Sequence, residues 1–194
     1  ALHKVLEKNQ EHVEAKYLIN KIDSPDKIES IPTSLIKEVV ELRAEYYRED
    51  YRDAGYVGAN LLVAEVLRNI EDKNPNLTVL DLGCGTGLTL SYNNIPAADY
   101  LGIDPSAGML EKLTAKFPEH IVVNSTFEQW DKTQPDGVFD TILGLYGAPS
   151  YFDKESYGRV LERLSPKRHY LLMFYKPGYF PAHIYTPEDI EAAR

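Results

Sequence analysis

The stretch Val79-Leu80-Asp81-Leu82-Gly83-Cys84-Gly85-Thr86-Gly87-Leu88 places three glycines directly behind an apolar run that carries an acid near its end. Glycine lets a backbone turn sharply and approach a ligand with no side chain in the way, so Gly83, Gly85 and Gly87 read as a ligand-cradling loop. Asp81 decides the kind of ligand: a carboxylate there repels a pyrophosphate and attracts an ammonium or sulfonium cation. The dinucleotide pattern G-x-G-x-x-G is not met either, because Leu88 stands where its third glycine belongs. A second acid, Asp104, closes the run Tyr100-Leu101-Gly102-Ile103, 21 positions after Gly83. A separation of roughly 20 residues lets the tip of a neighbouring strand bring a carboxylate to a ribose.

These residues need strands that end side by side. From Asn74-Pro75 onward, β-branched or Leu-rich runs at Leu77–Leu82, Tyr100–Ile103, Ile121–Val123, Val138–Leu143 and Tyr170–Phe174 alternate with helical stretches at Ser106–Phe117 and Lys154–Leu164. Continuous apolar strands joined by helices predict a parallel sheet covered on both faces, a doubly wound α/β fold whose ligands bind beyond the carboxyl ends of the strands. Ahead of it, the spacing predicts amphipathic helices over residues 2–20, broken at Ser24-Pro25, and over Thr33–Tyr46, then a mostly buried helix over Leu61–Ile70. The aromatic cluster Tyr46, Tyr47, Tyr51 and Tyr56 lies between the second and third of these.

Composition narrows the partners. With 194 residues, 43% of them hydrophobic, the chain is sized for one domain with a core of its own. A net charge of −9 with no visible basic face argues against nucleic acid and against an anionic membrane surface. No apolar run approaches the ~20 residues needed to span a bilayer, and the single cysteine, Cys84, cannot close an intrachain disulfide, so a cytoplasmic setting is expected. No Cys, His and acid cluster has metal-ligand spacing. The chain opens on Ala1 and stops inside a helix opening, Thr186-Pro187-Glu188-Asp189-Ile190, as a fragment or a processed form would.

The run Asp81-Leu82-Gly83-Cys84-Gly85-Thr86-Gly87 closely resembles motif I of the class I S-adenosylmethionine-dependent methyltransferases. The resemblance implies a Rossmann-like methyltransferase fold, with S-adenosylmethionine as cofactor and S-adenosylhomocysteine as product. It implies that Asp81, Gly83, Cys84, Gly85 and Gly87 line the cofactor and that Asp104 takes the ribose hydroxyls. Pro105-Ser106-Ala107-Gly108-Met109-Leu110 resembles the family's next helix start, which would put Pro105 and Met109 near the adenine; a helical methionine is equally at home as core filler. Val122-Val123-Asn124-Ser125-Thr126-Phe127-Glu128 aligns with the third signature, but Ser125 stands where an Asp is usual. Ser125 or Thr126, with the Phe127 amide, then remains to bond the adenine edge. Phe139-Asp140-Thr141-Ile142-Leu143-Gly144-Leu145-Tyr146 resembles the strand whose exit lies beneath the reactive methyl, which adds Leu143, while Asp140 reads as structural. Leu164-Ser165-Pro166-Lys167-Arg168 resembles the turn before strand five, with Lys167-Arg168 in place of glycines.

In that family's reaction a nucleophile displaces the methyl in line, so alignment and a dry site supply most of the acceleration. Where a base is needed, the candidates near the mouth are Tyr146, Tyr151 and His183, with Tyr46, Tyr51 and Tyr56 from the N-terminal segment; histidine's pKa near ~6.5 makes His183 the natural proton acceptor. Tyr51 and its neighbours predict a lid over a sulfonium, against the alternative of an aromatic seam between helices. Cys84, wedged between two glycines, reads as a small turn residue and not as a nucleophile.

The expectation is an N-terminal helical cap over residues 1–57 and a cofactor-binding core over 58–194, acting on a small-molecule acceptor. A protein side chain, or a regulatory module without turnover, is the alternative. The family's sheet carries two more C-terminal strands, which are missing here, through truncation, completion by a partner or reduction. An exposed edge at strand five would pair with a second copy, predicting a homodimer.

Overall fold

The computed structural model describes residues 2–24, 32–43, 58–71, 77–134, 137–152, 154–175 and 186–192. Five strands, β1 (Val79–Leu82), β2 (Tyr100–Asp104), β3 (Ile121–Asn124), β4 (Phe139–Gly144) and β5 (Leu164–Leu172), form one parallel sheet in the order β3-β2-β1-β4-β5. The helices are α1 (Leu2–Lys8), α2 (Val13–Asp23), α3 (Thr33–Arg43), α4 (Gly58–Glu71), α5 (Leu88–Tyr92), α6 (Ala107–Lys116), α7 (Phe127–Asp131), α8 (Lys154–Glu162) and α9 (Pro187–Ala192).

Strand alternation sorts the core into two layers. Val79, Tyr100 and Leu143 join Val63 and Leu67 of α4 and Leu110 and Leu113 of α6. Leu80, Leu82, Ile103 and Ile142 join Phe127 and Trp130 of α7 and Val160 of α8. Successive side chains point to opposite faces, so Asp81 belongs to the first layer and meets Gly102 and Leu143 in register. The second layer is locked by Asp131, which pairs with Arg159 at 3.0 Å and with the buried Arg163 at 2.5 Å. The chain winds outward through β2 and β3 and then crosses to β4 on the other side of β1. The switch point, where such sheets bind ligands, therefore lies between β1 and β4.

Several boundaries differ from expectation, each for a local reason. The first helix is two, α1 and α2, because the Asn9 side chain accepts from the Glu11 amide at 3.0 Å and offers the backbone an alternative to helix. In α4, Val63 and Leu67 are buried while Leu61 and Leu62 stay 64% and 51% exposed, so the helix buries a stripe and not most of its surface. Strand five starts six residues early, at Leu164, and ends at Leu172. Leu164 pairs with Phe139 and His169 with Thr141, so the extra residues around Pro166 form an irregularity in the ladder, a place where a strand tolerates proline. The five-residue helices α5 and α7 are too short for hydrophobic periodicity to show.

Candidate active site

The glycine loop hangs from the end of β2. The Gly83 and Cys84 amides both donate to the Ile103 carbonyl, at 2.8 and 3.2 Å, and Gly87 then opens α5 with φ 76°. Gly83 and Gly85 also take positive φ, 73° and 52°, a region costly for any residue with a Cβ. Gly83 is constrained twice, since a Cβ there would lie 2.5 Å from the Ala148 Cβ on the turn after β4.

Asp104 organises the loop around its carboxylate. Oδ2 accepts the Gly85 amide at 2.9 Å and Oδ1 accepts the Ser106 amide at 2.8 Å. Each oxygen keeps a second lone pair, which suits a pair of ribose hydroxyls. Ser106 caps α6 by accepting the Met109 amide at 3.1 Å. The Asp104 carbonyl accepts from the Ser125 amide and the Asn124 side chain, both at 3.1 Å, tying the tip of β3 to β2. From the N-terminal segment Glu41 reaches the Gly108 amide at 3.2 Å, and so α3 rests on the start of α6.

Asp81 is held by a different device. The Tyr100 hydroxyl donates to its Oδ2 at 2.9 Å, with Thr89 bonding it as well. To reach that far, the Tyr100 side chain lies over Gly102, where a Cβ would come 3.0 Å from Tyr100 Oη and 2.8 Å from Cys84 Sγ. Burial pushes the Asp81 carboxyl up to about 6, opposed by the bonds from Tyr100 and Thr89 and reinforced by the charge of Asp104. Burial likewise lifts Asp104 to about 6, opposed by the Ser106 and Gly85 amides and reinforced by Glu41. Among the described residues no neighbouring cation contributes in either case. Burial and the two aspartates raise the Cys84 thiol well above its ordinary value, so the thiol is inert, as its place in the turn predicted.

On the far side of the switch point, β4 exits through Tyr146 at φ 53° and Gly147 at φ 86° into a 3-10 turn, Ala148–Tyr151. A non-glycine residue at positive φ costs on the order of 1–3 kcal/mol and is found where neighbours hold it in place. Here Asn60 of α4 donates its side-chain amide to the Tyr146 hydroxyl oxygen. Ser150 accepts the Tyr175 amide at 2.7 Å, fastening the turn to the chain beyond β5.

Of the expected site residues, the structure brings together Asp81, Gly83, Cys84, Gly85, Gly87, Asp104 and Pro105 at the tips of β1 and β2, while Tyr146, at the exit of β4, packs against the first core layer and bonds Asn60. Met109 is 1% exposed and Leu143 is fully buried, so both pack beneath the site. The Ser125 hydroxyl donates to the Thr126 carbonyl, Thr126 caps α7 by accepting from Gln129, and the Phe127 ring belongs to the core. Asp140 accepts from the Thr78 amide and hydroxyl, both at 3.1 Å, at the opposite end of the sheet, a structural role as expected. Tyr51, Tyr46, Tyr56 and His183 lie outside the described residues. Asn60, Glu41 and Tyr100 were not singled out as site residues by the sequence.

The donor set fits an adenosyl sulfonium. The loop offers backbone where side chains would clash, and among the described residues the two buried acids have no counter-cation and the hydroxyl of Thr86, inside the loop, is buried without a partner. Residues 79–166 match the family model described as a methyltransferase domain. Among curated proteins, a magnesium-protoporphyrin O-methyltransferase from Rhodobacter capsulatus is 27% identical over 118 residues, 60% of this chain and 52% of its own length. A trans-aconitate 2-methyltransferase from Deinococcus radiodurans is 37% identical over 103 residues, 52% of this chain and 37% of its own. This chain therefore spans about half the length, or less, of these curated relatives. The crystal structure of magnesium protoporphyrin IX methyltransferase from Synechocystis PCC 6803 with bound S-adenosylmethionine shares the fold, with a TM-score of 0.61 at 18% identity over 82% of each chain. Residues 79–166 are thus similar to a methyltransferase domain, on a fold shared with a methyltransferase that binds S-adenosylmethionine.

Proposed function

We propose that this protein transfers the methyl group of S-adenosylmethionine to a small-molecule acceptor by in-line displacement. The observation that carries the reading is the pair of buried aspartates, 81 and 104, flanking a glycine loop, with no counter-cation among the described residues. Two ionised carboxylates in a low-dielectric pocket are costly unless a cation or strong donors join them, and a sulfonium nucleoside brings both a cation and two ribose hydroxyls.

When bound, the cofactor supplies an electrophilic methyl carbon, whose bond electrons return to sulfur as the acceptor's lone pair takes the carbon. The chain's part is to hold, orient and dry the site. Asp104 keeps the loop and the start of α6 in register through its two amide bonds. Tyr100 fixes the Asp81 carboxylate. Tyr146, at the β4 exit, and His183 stand as the candidate proton acceptors for an acceptor that must lose a proton. A small acceptor is supported by the acidic composition and by the acceptors named for the relatives, a porphyrin and an aconitate.

Isothermal calorimetry tests the cofactor, and label transfer from methyl-labelled S-adenosylmethionine into a metabolite extract tests turnover. Heat with S-adenosylhomocysteine and label in small products is the expected result. Binding of a nicotinamide or flavin nucleotide with no heat from S-adenosylhomocysteine would overturn the reading.

A further inference from the structure

His120 stands directly before β3, away from the strand tips that carry Asp81 and Asp104. Its Nε2 is 3.0 Å from the Ile95 carbonyl, in the connection from α5 to β2. A carbonyl oxygen only accepts, so Nε2 carries the hydrogen, and Nδ1 is left as a buried acceptor with no partner among the described residues. An apolar ring would fill the same space with no nitrogen unmet. What histidine adds is the Nε2 bond, which fixes the plane of its ring against the backbone.

That plane meets two others edge-on. The Tyr100 ring lies 5.4 Å away at 74° and the Phe117 ring 5.6 Å away at 72°, and such edge-to-face contacts favour one relative orientation of the rings. Tyr100 has little other freedom, being 3% exposed and passing over Gly102, where a Cβ would come 3.0 Å from both its Cε1 and its Oη. Held by Gly102 and by His120, it delivers its hydroxyl to Asp81 Oδ2 at 2.9 Å. Phe117, the other neighbour of His120, would lie 3.2 Å from a Cβ on Gly87, so the same cluster of rings reaches the glycine that opens α5.

We propose that His120 is a positioning residue for the cofactor: its ring, oriented by the Ile95 bond, holds the Tyr100 hydroxyl on Asp81 and so keeps that carboxylate in place for the cation. The inference rests on the adenosyl-sulfonium reading. It gives a part in binding to a side chain that acts only through another. Among the described residues, the titratable groups facing Asp81 are Tyr100 and Asp104 of β2 and Cys84 of the loop, and Tyr100 is the one in ring contact with His120.

The test reads Asp81 through pH, first in the cofactor-free protein and then through the cofactor. The Tyr100 bond lowers the Asp81 carboxyl against burial, so a loosened bond moves it up. His120→Gln keeps a donor for the Ile95 carbonyl and removes the ring. In urea unfolding across pH, the loss of stability that accompanies Asp81 ionisation is expected to move up by about half a pH unit, the scale of a bond to a charged group partly lost. The pH midpoint of S-adenosylmethionine binding should move with it. In a Tyr100→Phe background the same substitution should move neither, because the bond it acts through is gone. His120→Phe, which keeps a ring and gives up the Ile95 bond, is expected to give a smaller shift. His120→Leu, with no polar atom of its own, takes the place of His120→Gln if the latter does not fold by circular dichroism. Unmoved midpoints in a folded variant without the ring, a shift that persists in the Tyr100→Phe background, or a shift from His120→Phe as large as that from the ringless variant would overturn the positioning role. Should the stability profile respond as expected while the unaltered protein gives no heat with S-adenosylmethionine, the cofactor reading fails and the hold of His120 on Asp81 is supported.

Discussion

The tips of β1 and β2 and the exit of β4 share one edge of the sheet, yet they are built in opposite ways. At β1 and β2 the awkward backbone is given to glycines, and each acid is held by named donors, Tyr100 for Asp81 and the Gly85 and Ser106 amides for Asp104. At β4 the left-handed conformation falls on a tyrosine, and the amide that steadies it keeps an unmet oxygen. The first region holds both carboxylates before any ligand arrives and leaves one loop hydroxyl, that of Thr86, unmet. The second stores both strain and an unmet hydrogen bond, which a ligand could relieve. A receptor can afford rigidity where the ligand never changes, whereas tension is useful where it must be gripped in one orientation.

The sharpest way to break the comparison is to put strain where none exists. Gly83→Ala combines positive φ with a 2.5 Å approach to Ala148, and overpacking together with a left-handed alanine should remove about 3 kcal/mol of stability. Urea unfolding would register that loss, and calorimetry should find S-adenosylhomocysteine binding abolished. A variant of native stability and affinity would show that the loop is looser than drawn.

A milder change removes one donor from the completed side. Tyr100→Phe keeps the ring over Gly102 and deletes the bond to Asp81, which should cost roughly 1–2 kcal/mol as a lost bond to a charged group. Because that bond lowers the Asp81 pKa against burial, its loss moves the carboxyl further up. The pH midpoint of S-adenosylmethionine binding should therefore rise, a readout that lost packing alone would leave in place.

The smallest effect needs no mutation. Burial raises both Asp81 and Asp104 to about 6, so the cofactor-free fold is favoured by their protonated forms. That contribution is complete below the ordinary aspartate value of ~3.9 and is lost as pH rises through about 6. A sulfonium cation selects the ionised forms. The melting-temperature gain on adding S-adenosylmethionine should thus be larger at pH above that window than below it, by differential scanning fluorimetry; a gain independent of pH would separate the two acids from cofactor binding.

What the sequence made legible follows the same divide. The glycine loop, Asp81 and Asp104 are readable because strand, turn and strand tip occupy one short span with fixed spacing, and the structure places all of them at neighbouring tips. The Asn60 to Tyr146 bond joins residues 86 apart and Glu41 to Gly108 spans 67. No local pattern announces such pairs, since they exist only once α3 and α4 are docked. Met109 and Thr126 show another limit. Met109 is buried and Thr126 accepts from the Gln129 amide as a helix cap, and a helical pattern looks alike whether such a residue serves the core, a cap or a ligand. The early start of β5 was hidden by Pro166, which reads as a break and instead sits in a ladder irregularity.

Glu41 gives the N-terminal segment a stake in the chemistry. Its carboxylate, bonded to the first turn of α6, adds repulsion to an already buried Asp104. Docking α3 therefore brings a third carboxylate towards a pocket edge that already holds two buried acids, and the N-terminal segment deepens the negative field around the glycine loop.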